Sequence, residues 1–319
     1  MRIAIWHVHG SWHTPFVTGP DEYLLPVLPD RGPDGRGRAQ SWDWPASARE
    51  LAPEQLRAEG CDVVVLQRPH GVALFEEWTG RRPGVDVPAV YVEHNTPAGD
   101  AVRTRHPLAD RSDIPVVHVT HFNALMWDTG RAPTRVVEHG VLDPGHLYTG
   151  AEERLGVVVN EPVRRWRVAG TDIVVDLSQR VPVTVYGMGM DALAERAPHL
   201  TGHLHENVRQ DRMHRLLARQ RAYLHPYRWT SLGLSLIEAM MLGLPVLALA
   251  TTAAPGAVPA DAGVVSGDPD VLEQAAQRWL ADPDEARERG QAARRHATHA
   301  FAVDRFLADW QSLLEEVVG

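Results

Sequence analysis

The chain has a single cysteine, Cys61, which excludes an intrachain disulfide framework and any cysteine-based zinc knuckle. It has no apolar run long enough to span a bilayer, since the longest apolar stretch, around 232–250, is cut by glycines, a glutamate and a proline. Its start, Met1-Arg2-Ile3-Ala4-Ile5-Trp6, has no basic region ahead of a long apolar stretch and does not read as a signal peptide. Positive charge is the minority, 32 Lys+Arg against 41 Asp+Glu for a formal charge of −9, which disfavours a general nucleic-acid binder because a phosphate backbone asks for a basic footprint. No G-x-S-x-G elbow is present, which counts against a serine hydrolase. The 17 histidines include no HExxH arrangement, and no metal is expected. What remains is a soluble, cytoplasmic protein whose 44% hydrophobic content suffices for a packed core. At 319 residues it holds one large domain or two of ordinary size.

The hydrophobic pattern favours an α/β fold. Arg2 to His9 reads as a short strand followed by a polar loop through Gly10-Ser11-Trp12-His13. Residues 15–45, dense in Pro, Gly and Asp, read as a loop, and residues 47–59 as a helix. Continuous apolar runs at Val63-Val64-Val65-Leu66, Val87 to Val92, Ile114 to Val119 and Thr134 to Val137 fit strands buried on both faces of a parallel sheet. Each ends in polar residues, Glu93-His94-Asn95, Thr120-His121 and Glu138-His139 among them, and open α/β sheets place ligands at such strand ends. After a break at 141–154 a second set follows, with strands at 155–160, 181–186, 222–226 and 245–249. Helices are expected at 208–220, 234–242, 270–280, 284–296 and 303–317. Two α/β domains facing across a cleft, 1–145 and 146–319, are the natural reading.

The densest chemistry lies in Tyr227 to Met240, followed by Gly243-Leu244-Pro245-Val246. Gly233 permits close backbone approach to a ligand, and a helix opening at Leu234-Ser235-Leu236 points free N–H groups at an anion. Glu238, alone among Leu, Ile, Ala and Met, is costly to bury unless it has a partner: either a ligand such as a pair of ribose hydroxyls, or local N–H groups or an arginine. Arg164-Arg165-Trp166-Arg167 is either a phosphate clamp or a solvated face. Asp268-Pro269-Asp270 reads as turn and helix-cap chemistry.

These segments resemble the retaining GT-B glycosyltransferases of family 4 (glycosyl transferases group 1). Gly233, Glu238, Ala239, Met240, Gly243, Pro245 and Val246 match that family's signature. Val136 to Asp143, Pro88 to Asn95 and Ala222 to Pro226 resemble three further family segments, in the right order. The resemblance implies a GT-B fold of two Rossmann-like domains, an acceptor-side N-terminal one and a C-terminal one binding the nucleotide-sugar, with closing helices that return toward the first domain. It implies transfer of a sugar from a nucleoside-diphosphate sugar to an acceptor hydroxyl, with retention and without an essential metal or other cofactor.

By the same resemblance Glu238 holds the donor ribose, while Gly233, Leu234, Ser235, Leu236, Arg164 and Arg165 face the diphosphate. His94 is the active-site histidine, and a structural histidine bonding its own loop is its plainer reading. Gly10, Trp12, His13, Asn95 and His121 fall on the acceptor side, with Trp12, His13, Trp42 and Trp44 available to stack on an acceptor. Two departures stand out. Thr230 occupies the position of the signature's first glutamate, where it is expected as a catalytic-site residue that still donates or accepts one hydrogen bond, and Ala169 occupies that of a diphosphate lysine. They keep a second reading open, a catalytically inactive GT-B-like partner protein that binds nucleotide or sugar. No nucleic acid and no stable membrane insertion are expected, and the sequence leaves donor, acceptor and oligomeric state open.

Overall fold

A computed structural model describes residues 1–40 and 42–319 and divides the chain into two compact units. The first comprises Met1–Gly140 together with Val303–Gly319, the second Val141–Ala302.

The first unit runs β1 (Arg2–Ile5), α1 (Gly10–Phe16), β2 (Glu22–Pro26), β3 (Ala48–Leu51), α2 (Pro53–Glu59), β4 (Val63–Leu66), α3 (Gly71–Thr79), β5 (Ala89–Glu93), β6 (Val116–His118), α4 (His121–Met126) and β7 (Thr134–Val136). Its seven strands form one parallel sheet in the order β3-β2-β1-β4-β5-β6-β7. All four residues of β4 are buried, as a continuous β-branched run between two helical layers requires. The order reverses between β1 and β4, which makes the carboxyl ends of those two strands the place where an open sheet leaves a crevice.

Three local expectations fail here. The stretch 15–45 is not all loop: Leu24 and Leu25 are fully buried, and β2 lies inside the sheet between β1 and β3. Gly10 to His13 opens helix α1 rather than a loop. The helix expected over 47–59 is a strand and then a helix. Ala48 and Leu51 bury their side chains in β3, and Pro53 starts α2, where Gln55 Oε1 accepts from the Ala52 N–H at 2.8 Å.

The second unit runs β8 (Glu152–Val158), α5 (Thr171–Leu177), β9 (Val183–Gly187), α6 (Met190–Arg196), β10 (Leu204–Glu206), α7 (Gln210–Leu217), β11 (Gln220–His225), α8 (Leu234–Leu242), β12 (Val246–Leu249), α9 (Ala254–Ala257), β13 (Gly263–Ser266), α10 (Pro269–Ala281) and α11 (Pro283–Ala300). Its parallel sheet has the order β10-β9-β8-β11-β12-β13, and its reversal falls between β8 and β11. Asp268 caps α10 by accepting from the Asp270 N–H at 3.0 Å, so this acidic pair is spent on a helix start.

The chain then returns to the first unit as α12 (Val303–Val318). Phe306 and Trp310 are buried against α1: the Trp310 ring lies 5.7 Å from that of Trp12 and 5.2 Å from that of Phe16. The Arg305 guanidinium donates to the carbonyls of Glu138 at 3.1 Å and His139 at 2.6 Å, tying the helix to the strand end that precedes Gly140. Among the described residues no helix is long and apolar enough to cross a membrane.

Candidate functional site

In the second unit the site gathers past the ends of β8 and β11. The chain leaving β8 turns sharply at Glu161, a non-glycine residue with φ of 56°, whose N–H donates to the Met188 carbonyl at 2.8 Å. Asn160 Oδ1 accepts from the Met188 N–H at 3.0 Å, so the ends of β8 and β9 are stitched together. Gly187 allows this, because a Cβ there would lie 2.0 Å from the Val159 carbonyl oxygen. Glu206 accepts from the N–H of Met190 at 2.7 Å at the start of α6, and His205 stacks on Tyr186 with ring centroids 4.8 Å apart. The His203-His205-Glu206 cluster thus serves local structure.

Helix α8 opens on Gly233, whose place is set by contact: a Cβ on it would come within 2.6 Å of the His225 ring. No side chain caps the helix. The Leu236 N–H donates to the Gly233 carbonyl at 2.9 Å, and the N–H groups of Leu234 and Ser235 stay available to an anion. Ser235 Oγ lies 2.9 Å from the Tyr223 hydroxyl, which fixes the first turn to β11. Leu236 is fully buried and Leu234 half-buried. Glu238 is 5% exposed. Its Oε1 accepts from Gln210 Nε2 at 2.7 Å, and its Oε2 lies 3.4 Å from His214 Nε2. No arginine forms an ion pair with it among the described residues, so this buried carboxylate keeps acceptor capacity that the protein does not fill.

The arginines separate by what they already hold. Arg167 and Arg228 are both spent on Asp172, at 2.7 and 2.6 Å. Arg164 is 71% exposed and pairs with Glu161 at 3.5 Å. Arg165 is half-buried, has no carboxylate partner among the described residues, and holds its guanidinium 5.5 Å from the centre of the Tyr227 ring. Tyr227 is itself fixed, its carbonyl accepting from Thr251 Oγ1 at 2.6 Å and its ring lying 4.9 Å from that of His225. Burial pushes the His225 imidazole down to about 3 and keeps it neutral. Ala169 is fully buried, and Thr230 is half-buried in the turn before Gly233. The chain contains no lysine, so every side-chain cation near this helix start is an arginine or a histidine.

In the first unit three neighbouring strands deliver one residue each just past their ends: Trp6 after β1, Gln67 after β4 and His94 after β5. Gln67 Nε2 donates to the Trp6 carbonyl at 2.8 Å, and Gln67 Oε1 lies 2.9 Å from His94 Nε2. The His9 ring lies 4.4 Å from that of His94 at a tilt of 58°, and the Trp12 ring meets it in a T-shaped contact at 4.9 Å. Burial, reinforced by His9, His139 and His13, holds His94 well below the usual histidine range.

The acceptor-side residues expected from sequence are scattered in role. Trp12 is 1% exposed and packs on Phe16, Phe306 and Trp310; His13 is fully buried and stacks on Trp44 at 5.4 Å. The faces of Trp12, His13 and Trp44 are therefore taken by protein, and stacking on an acceptor is closed to them. Gly10 starts α1 in contact with the Trp42 ring, which a Cβ would meet at 2.4 Å. Asn95 is exposed; its N–H donates to Glu93 Oε1 at 2.7 Å and its carbonyl accepts from Asn123 Nδ2 and Trp127 Nε1. His121 is exposed at the start of α4. His118 is fully buried with both ring nitrogens unpartnered. Among the described residues no three His, Cys, Asp or Glu side chains come together as metal ligands.

Sequence reasoning missed Gln67, Gln210, Tyr227 and His9. Gln67 carried a usable signal, since it follows an apolar strand run just as His94 does. Gln210 sits in a polar helix and carried none.

Residues 167–312 match the family model described as glycosyl transferase-like. No curated protein matches the sequence. Among solved structures, the chain is similar to the sucrose-phosphate synthase of Thermosynechococcus elongatus, with a TM-score of 0.73 at 14% identity over 99% of this chain and 98% of that one. It is similar to HepE of Anabaena, solved with UDP-glucose, with a TM-score of 0.69 at 15% identity over 99% of this chain and all of that one (100%). A glycosyltransferase of Rickettsia africae gives a TM-score of 0.67 at 11% identity over 99% and 98% of the two chains. What these likenesses share with the chain is architecture: two parallel sheets, each flanked by helices, in the two-domain α/β arrangement of the GT-B fold.

Proposed function

We propose that the chain is a glycosyltransferase that moves a sugar from a nucleoside-diphosphate sugar to an acceptor hydroxyl. The observation that carries this reading is Glu238: a buried carboxylate one turn into a helix without a side-chain cap, bonded by the neutral Gln210 amide with His214 3.4 Å away, in the same unit as Arg165, which has no carboxylate partner among the described residues. A ribose whose vicinal hydroxyls donate to Glu238 would complete it, and the diphosphate would take the N–H groups of Leu234 and Ser235 and the guanidinium of Arg165, with Arg164 outside it. The bond from the anomeric carbon to the diphosphate breaks and a bond to the acceptor oxygen forms. The acceptor's proton passes to the departing diphosphate, whose growing charge these groups stabilise without a metal. Attack on the same face gives retention.

In this reading the first unit, Met1–Gly140 with Val303–Gly319, serves the acceptor side and the second, Val141–Ala302, the donor, with His94 contacting a hydroxyl of the transferred sugar. The enzyme is placed in the cytoplasm, where nucleotide-sugars are its donors. HepE was solved with UDP-glucose, which makes a UDP-hexose the first donor to try. Thr230, standing where the family has a glutamate, favours the second reading, an inactive protein that binds nucleotide-sugar. The test is a thermal-shift and turnover screen with UDP-, GDP- and ADP-sugars, with and without divalent metal. Stabilisation together with donor hydrolysis or transfer supports the enzyme. Stabilisation without turnover supports the inactive reading, and neither response overturns both.

A further inference from the structure

The carbonyl of Trp6 only accepts hydrogen bonds, so the Gln67 group facing it at 2.8 Å must be the amide nitrogen. The opposite orientation would set two oxygens against each other. The Gln67 oxygen therefore faces His94, and because that oxygen also only accepts, the ring nitrogen 2.9 Å from it must carry a proton. Gln67 is 7% exposed and His94 9%, which leaves little room for water to take either role. Among the described residues no hydrogen bond reaches the second ring nitrogen, Nδ1.

We propose that Gln67 is the positioning residue of this site: it locks His94 as the Nε2–H imidazole, so that His94 presents Nδ1 to a ligand as a hydrogen-bond acceptor and selects a hydroxyl that donates. The chain of dependence is short, from the backbone at the end of β1, through a glutamine at the end of β4, to a histidine at the end of β5, all in one sheet. Burial keeps the ring neutral, so the second nitrogen retains its lone pair. The ligand-facing consequence rests on the transferase reading; the tautomer itself does not. A sugar hydroxyl replaced by fluorine keeps its size and loses the proton that Nδ1 requires.

Long-range proton–nitrogen correlation spectra of the 15N-labelled full chain read the tautomer directly and need no donor. The His94 pattern is identified by its loss in His94→Asn. Wild type is expected to show a single Nε2–H form, and Gln67→Met to show that form replaced by a mixture. An Nδ1–H form in wild type, or an unchanged pattern in Gln67→Met, overturns the proposal, and the first holds even if a variant fails to fold. With a turned-over donor, one member of a singly fluorinated series should lose at least about tenfold in kcat/KM with wild type and less with Gln67→Met. An equal loss with both proteins overturns the selection of a hydroxyl. The expected spectra in a protein that turns over no donor leave Gln67's role standing and remove the transferase reading instead.

Discussion

Gln210 reaches across from α7 to place its amide nitrogen 2.7 Å from Glu238 Oε1, the strongest contact that buried carboxylate makes with the protein. A neutral donor orients the carboxylate without cancelling its charge. Removing Glu238 should therefore cost ligand affinity more than fold. Glu238→Ala is expected to weaken binding of a nucleoside diphosphate about tenfold or more, the range for losing charge-assisted hydrogen bonds. Titration calorimetry checks it, and unchanged affinity in a folded variant ends the ribose role.

Gln210→Ala leaves that carboxylate buried with less support. It should lower stability by about 1–3 kcal/mol, as for an unsatisfied buried group, and reduce nucleotide affinity less than Glu238→Ala does. Urea unfolding and calorimetry on the same preparation separate the two effects.

The arginines make a paired prediction. Arg165 has no carboxylate partner, whereas Arg167 shares Asp172 with Arg228. Arg165→Ala should weaken nucleoside-diphosphate binding about tenfold and flatten its salt dependence, while Arg167→Ala stays close to wild type. Equal losses would show that the diphosphate does not choose between them.

Burial holds His118 and His139 down to about 4 in the folded chain, against an ordinary value near 6.5. The unfolded chain binds these protons first as pH falls, so their contribution to stability is present above about 6.5 and is lost progressively toward about 4. Urea midpoints measured from pH 7 to pH 4 should fall steeply across that window. His118→Leu should make the fall shallower while leaving stability at pH 7 undiminished, since neither ring nitrogen of His118 has a partner to lose. An unchanged slope in that variant refutes the assignment.

Trp310 is 2% exposed against Trp12 and Phe16. Trp310→Ala should destabilise the first unit by about 3–5 kcal/mol through the cavity it leaves. Differential scanning calorimetry is the measurement, and a shift no larger than that of a surface substitution would refute the packing argument.

How legible the fold is in the sequence depends on how each element advertises its burial. Val63 to Leu66 is an uninterrupted apolar run led by three β-branched valines, and both its state and its burial can be read from the letters. β2 cannot, because its buried run is only four residues long and sits amid prolines, glycines and aspartates. β3 is hidden by helix-forming residues that the sheet overrides. At the helix start, Glu238 is legible because a carboxylate in an apolar helix has an evident cost. The ranking of the arginines is not, since only the fold reveals that Asp172 has claimed Arg167 and Arg228. The Trp6–Gln67–His94 chain is illegible for a different reason, since it needs the strand order, which places three residues distant in sequence at adjacent strand ends.

The return of α12 to the first unit bears on the order of synthesis. The second unit is one unbroken stretch, Val141–Ala302, and can close its core while the ribosome is still at work. The first unit, although its sheet is translated earlier, must wait for Phe306 and Trp310 before Trp12 and Phe16 acquire their partners. The half that starts first is therefore finished last, and a nascent chain stopped near residue 302 presents an aromatic surface that the folded first unit buries.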